Sequence, residues 1–212
     1  MKHYIDITLL PEADISLGFI WQKVYQQVHI ALVDNKVGEN ESNIAIAFPR
    51  YGDKQFPMGN QLRLLAETEI QLSGLDINKW LNRLQDYIHI KSIKPVPDNC
   101  AQVCFVREQV KGQVGIEKKM QAKAKHWSEK SGIPIEECLK SLEKSKPNTT
   151  TKCPFIWLES QETKRRNTDK SIKFPLFIKR VVVEQQQAGR INCYGLSVNH
   201  KDIHELASVP QF

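Results

Sequence analysis

The sequence predicts an α+β protein: a ferredoxin-like βαββαβ domain over residues 1–95, then a smaller domain over residues 96–212 with a basic helix and a small antiparallel sheet. Three observations predict it. Apolar residues alternate in short runs, first at Ile5, Ile7 and Leu9, as in strands that bury one face. Between those runs they recur every fourth residue, at Ile20, Val24, Val28 and Leu32, as on a helix packed against a sheet. Charge is divided unevenly, with ten Lys and Arg against twelve Asp and Glu in residues 1–100, and twenty against twelve in residues 101–212. That division suggests a scaffold half and a half that meets a polyanion.

The elements follow in order. Tyr4 to Leu9 alternates as the first strand, and Ile15 to Val33 has helical spacing. Asn43 to Phe48 reads as the second strand, ended by Pro49, and YGDKQFPMGN has loop chemistry. Gln61 to Ala66 is the third strand. Asp76 is suited to cap a helix carrying Ile77, Trp80, Leu81 and Leu84. Tyr87 to Ile93 alternates again as the fourth strand. The order is β-α-β-β-α-β. KPVPDN (94–99) reads as a linker because its two prolines interrupt regular structure. Beyond it come a strand in CFVREQ, a polar helix from about Ile116 to Lys130, and a second helix starting near Pro134. PFIWLES and FPLFIKRVVV read as strands on either side of a basic loop, QETKRRNTDKSIK. INCYGLSV is the last element, before a tail that ends in Phe212.

Composition narrows the function classes. Of the 212 residues, 41% are hydrophobic and 25% charged, with a net charge of +6, as in an ordinary globular protein. No apolar run approaches the ~20 residues that span a bilayer. Asp6 and Glu12 interrupt any leader-like stretch at the start. Five cysteines, an odd number with no C-x-x-C pair, argue against a disulfide framework or structural zinc and for reduced thiols in a cytoplasm. There is no G-x-x-x-x-G-K-[ST] or G-x-G-x-x-G motif, no H-E-x-x-H and no clustered carboxylate pattern. Neither a nucleotide cofactor nor a catalytic metal is expected.

Several residue types fit RNA chemistry, each also open to a plain structural role. Lys118, Lys119, Lys123, Lys125 and His126 crowd three turns of the expected basic helix, suited to phosphates or simply a solvated face. Arg107 and Gln109 in VREQVK are two apart, so on a strand they share a face. Arg can fork onto guanine and Gln onto adenine, so the pair could read adjacent purines. His29 lies off the Val24/Val28 stripe at four-residue spacing from Trp21 and Tyr25, where an imidazole can reach a cleft and move protons near neutral pH. Ser160 and Thr163 in ESQET could hold a ribose 2′-OH or a phosphate, or only start a turn. Tyr194 in CYGLS could stack on or orient a histidine, or be an ordinary aromatic.

Taken in order, HYIDITLLPE, His29 in VHIAL, IAFP before a glycine loop, GNQLRL, VREQVK with a basic helix, PFIWLESQET, FPLFI, CYGLS and the final Phe resemble the repeat-RNA endoribonuclease of type I-F CRISPR systems, the Csy-type Cas6 family. The resemblance spans nearly the whole chain. It implies a ferredoxin-like N-terminal domain and a C-terminal domain whose basic helix enters the major groove of an RNA hairpin. It implies His29 as the catalytic histidine, Ser160 holding the attacking 2′-OH, and Tyr194 orienting His29. It implies Arg107 and Gln109 reading purines at the stem base and Phe174 stacking beneath the terminal base pair. Lys111, Lys118, Lys119, Lys123, Lys125, His126 and Thr163 would complete the RNA contacts. The expected partners are the CRISPR repeat hairpin and other subunits of the type I-F surveillance complex, with a monomer when alone, no membrane and no cofactor. Two departures stand out. The family's helix is arginine-rich, whereas no Arg lies between Arg107 and Arg165, and Lys offers phosphate a point charge rather than a fork. Glu159 and Glu162 flank Ser160 where the family has Arg and Ser. A non-catalytic hairpin-binding subunit, or a ferredoxin-like protein of general RNA metabolism, would share many of these features.

Overall fold

Alternation at the N-terminus becomes strand β1 (His3–Leu9), with Ile5, Ile7 and Leu9 buried. The computed structural model describes residues 1–110, 113–143, 151–160 and 172–212. Among these the protein is a mixed α/β fold with two antiparallel sheets. It divides into two compact units, Met1–Glu108 with Pro154–Phe212, and Gln109–Cys153.

In the first unit β1 is followed by α1 (Leu17–Asp34), β2 (Ala45–Ala47) and β3 (Gln61–Ala66). Ser16 caps α1 by accepting the Phe19 N–H. Its apolar stripe is wide: Ile20, Trp21, Val24, Tyr25, Val28, Ala31 and Leu32 are all buried. The helix α2 (Glu69–Leu75) was not expected, although Thr68 and Gln71 form a reciprocal capping box whose spacing is visible in the sequence. Asp76 does not cap the next helix through its side chain. It adopts a left-handed conformation (φ 47°) that ends α2 before α3 (Ile77–Leu81) begins. The expected fourth strand shrinks to β4 (Ile88–Ile90): Tyr87 belongs to a 3₁₀ turn over residues 82–87, and residues 91–93 form no regular element. The expected linker opens with a two-residue strand, β5 (Lys94–Pro95), paired with Tyr4 and His3. The first sheet has the order β2-β3-β1-β4, all antiparallel, with β5 also on β1.

The second sheet has the order β7-β8-β6-β9, from β6 (Ala101–Glu108), β7 (Phe155–Glu159), β8 (Lys173–Val183) and β9 (Val209–Gln211). One face contributes Val103, Phe105, Ile156, Leu158, Leu176 and Ile178 to the core that also holds α1 and the first sheet. The other face carries a small cluster of Cys104, Val106, Val183 and Leu206. INCYGLSV is not a strand. It forms a turn held by Ile46 N–H on Gly195 O (2.7 Å) and Ser197 N–H on Phe105 O (2.9 Å). Gly195 sits at φ +71°, and a Cβ there would collide with Ile46, so both the turn and the close approach require glycine. The tail is not loose either, since β9 pairs with β6.

The second unit is a helical hairpin of α4 (Gln113–Ser131) and α5 (Ile135–Glu143), turned at Gly132 (φ +72°). Ala124, Cys138 and Leu142 form its core with Met120, Ile133 and Leu139. No helix among the described residues is long and apolar enough to cross a membrane.

Candidate active site

The site grows from α1. His29 follows Val28, whose side chain is fully buried, so the imidazole emerges at the margin of the core, half-buried. Its Nδ1 lies 2.8 Å from the carbonyl oxygen of Cys193. A carbonyl only accepts, so Nδ1 carries the proton, and in the neutral ring Nε2 holds the lone pair. Tyr194 stacks on the imidazole, with centroids 4.2 Å apart and planes 2° from parallel. The Tyr194 backbone is itself fixed. Its carbonyl accepts the Tyr25 hydroxyl at 2.8 Å, and its N–H donates to Asn192 Oδ1 at 2.9 Å. The ring is thus oriented from one edge and one face, which leaves Nε2 as its chemically available nitrogen.

Burial lowers the His29 pKa below its ordinary 6.5, and the Cys193 carbonyl opposes that shift only in part. Burial and the neighbouring Tyr194 push the Tyr25 phenol well above its ordinary value, so it stays a neutral donor. The imidazole of the free protein should therefore titrate below 6.5, which NMR of its ring protons would measure; a midpoint at or above 6.5 would contradict the burial argument. The unfolded chain binds this proton at the higher pH. His29 consequently destabilises the fold as pH falls from the unfolded value through the native one.

Arg107 lies on β6, and its guanidinium is 5.6 Å from the ring centroids of both Phe174 and Tyr194. Phe174, on β8, packs at the edge of the main core. His29, Arg107, Phe174 and Tyr194, the first and last of them 165 residues apart in sequence, thus lie in one contiguous cluster. Ser160 follows the last residue of β7, and its N–H donates to Ile172 O at 2.9 Å. The preceding residue, Glu159, ties this strand end to α1, since its N–H donates to Gln26 Oε1 at 2.8 Å. The Glu159 carboxylate lies 3.8 Å from the Lys173 ammonium, its cross-strand partner.

Other expected residues fall elsewhere. Gln109 comes after the last residue of β6 and belongs to the second unit, so strand alternation no longer ties it to the Arg107 face. Lys118, Lys119, Lys123, Lys125 and His126 are all exposed on α4. Ile116, Met120 and Ala124, at four-residue spacing, mark its inward stripe; Lys118 and Lys125 lie on the far side of the helix, and Lys123 borders the stripe. Lys111 and Thr163 lie outside the described residues, as does Glu162. The sequence reading missed Gln26 and Tyr25, whose only signal was a polar group on a helix face otherwise bound for the core. It also missed Cys193, which acts through its backbone and leaves no side-chain signature.

The chain is similar to the "CRISPR-associated endonuclease Cas6/Csy4" of Pseudomonas aeruginosa (strain UCBPP-PA14), 27% identical over 201 residues that cover 93% of this chain and 96% of that one. It is similar to the protein of the same name from Escherichia coli (strain UTI89 / UPEC), 24% identical over 213 residues and the full length of both. The family model described as CRISPR-associated protein (Cas_Csy4) matches residues 4–212, so this chain belongs to the Cas_Csy4 family.

Proposed function

We propose that this protein is a metal-independent endoribonuclease that binds the hairpin of CRISPR repeat RNA, cuts at its 3′ base and stays on the product within the type I-F surveillance complex. The observation that carries the reading is the oriented imidazole: His29 with its proton fixed on Nδ1, its ring stacked on Tyr194, and a cationic Arg107 beside them. RNA supplies its own nucleophile in the 2′-OH next to the scissile phosphate. An enzyme has only to align that hydroxyl, move protons and stabilise the developing charge. In this reading His29 Nε2 accepts the 2′-OH proton as the oxygen attacks phosphorus. The P–O5′ bond breaks, leaving a 2′,3′-cyclic phosphate and a 5′-OH once the leaving oxygen is protonated. Ser160 positions the 2′-OH, and Tyr194 keeps the imidazole aligned.

The same reading assigns binding. Arg107 and Gln109 read purines at the stem base, and Phe174 supports the terminal pair. Lys111, Lys118, Lys119, Lys123, Lys125, His126 and Thr163 contact the RNA, mostly at phosphates. The β1–β4 unit with α1 serves as a ferredoxin-like scaffold over residues 1–95, and residues 96–212 form the hairpin-binding part. Alone, the protein is a cytoplasmic monomer.

Incubation with repeat RNA in EDTA tests the chemistry. The expected result is one cut per repeat, with a cyclic phosphate on the upstream product and a hydroxyl on the downstream one. RNA bound but left whole would instead make the protein a non-catalytic hairpin-binding subunit.

A further inference from the structure

Gln26 is a polar residue within the buried face of α1, only 8% exposed. Its Oε1 accepts the Glu159 N–H at 2.8 Å, while its Nε2 has no partner among the described residues. A primary amide is costly to bury, and an amide satisfied at only one end is a poor choice for packing alone. What it does accomplish is specific. Strand β7 is the edge of its sheet, held by β8 on one side only, and Gln26 holds the far end of that edge from α1. Gln26 and His29 are three residues apart on one rigid helix, a rise of about 4.5 Å. Ser160 is the next residue after Glu159.

We propose that Gln26 is a positioning residue: its amide oxygen fixes the end of β7 on α1 and thereby sets the Ser160 hydroxyl relative to the His29 imidazole. The proposal rests on the reading of His29 and Ser160 as partners in RNA cleavage. Gln26 itself touches no reacting atom. It acts through the main chain of Glu159, so its effect should appear in the chemical step rather than in hairpin affinity.

A double-mutant cycle on the full-length protein tests this by single-turnover cleavage of a repeat hairpin, with binding measured separately. Gln26→Met keeps the length and removes the acceptor. It should slow cleavage roughly 10- to 50-fold, within the range expected for a misplacement of about an ångström, and leave Kd within about 2-fold. Gln26→Glu retains an acceptor oxygen at the same reach and should recover most of the rate. In a Ser160→Ala background, Gln26→Met should cost no more than about 2-fold further, because the two act as one unit. Full additivity of the two substitutions would overturn the proposal. So would a Gln26→Met protein that melts earlier but cleaves at the wild-type rate once corrected for its folded fraction. Wild-type cleavage by Ser160→Ala alone would overturn it differently, by removing the residue through which Gln26 is held to act. Failure of the unaltered protein to cut would instead be the failure of the nuclease reading itself.

Discussion

His29→Ala should abolish cleavage of the repeat hairpin and leave its binding nearly intact. General acid–base catalysis by a positioned side chain contributes about 10²- to 10⁴-fold, so the single-turnover rate should fall by at least two orders of magnitude. Three features of the ring support an effect of that size. Its proton is held on Nδ1 by the Cys193 carbonyl, so Nε2 bears the lone pair. Its pKa is lowered by burial, so near pH 7 the neutral base predominates. Its plane is set by Tyr194. Binding should change little, because phosphate charge supplies much of RNA affinity and the exposed cations of α4 are untouched by the substitution. A quantitative gel assay of both properties on one preparation decides the point. If the Ala variant cuts at the wild-type rate, His29 is not the base and the proposed chemistry fails.

The second large effect concerns stability. Asp6 and Arg63 face each other across β1 and β3, at 4% exposure each. Arg63 Nε and Nη2 donate to the two carboxylate oxygens at 2.6 and 3.0 Å. The guanidinium is covered by Tyr4 and Phe212, 4.5 and 3.7 Å from their ring centroids, and Nη1 donates to the Phe212 main-chain oxygen at 3.0 Å. Asp6→Ala would strand a buried cation. The cost of breaking such a pair from one side is about 3–5 kcal/mol. At roughly 2–4 °C per kcal/mol for a chain of this size, the thermal midpoint should drop by about 10 °C. Replacing both partners, as Asp6→Val with Arg63→Met, should recover much of the loss, since no unpaired charge remains. A single variant that melts within a degree of the wild type would show that water reaches the guanidinium and that the Phe212 cover is not a seal.

What could be read from sequence follows from how local each signal is. Alternation in Tyr4–Leu9 and the four-residue stripe of α1 are set by neighbours a few positions away, and both elements form nearly where that spacing puts them. The cation-rich arc of α4 is legible for the same reason. Weak local preferences were overridden by pairing partners: the Tyr87–Ile93 run kept only three strand residues, and the proline-bearing linker gained two. The order of motifs along the chain determined the family. The site's geometry did not lie in any one segment. Asp6, polar on an alternating strand, reads as solvent-facing until Arg63 and Phe212 close over it. His29 acquires its tautomer from a carbonyl 164 residues away, and Glu159, the residue before Ser160, is tied to α1 through Gln26, 133 residues away. Sequence alone specified which residue types the chemistry has at hand. Only tertiary structure decided which atoms meet, because hydrogen-bond direction and ring stacking are fixed by contacts between segments remote in the chain.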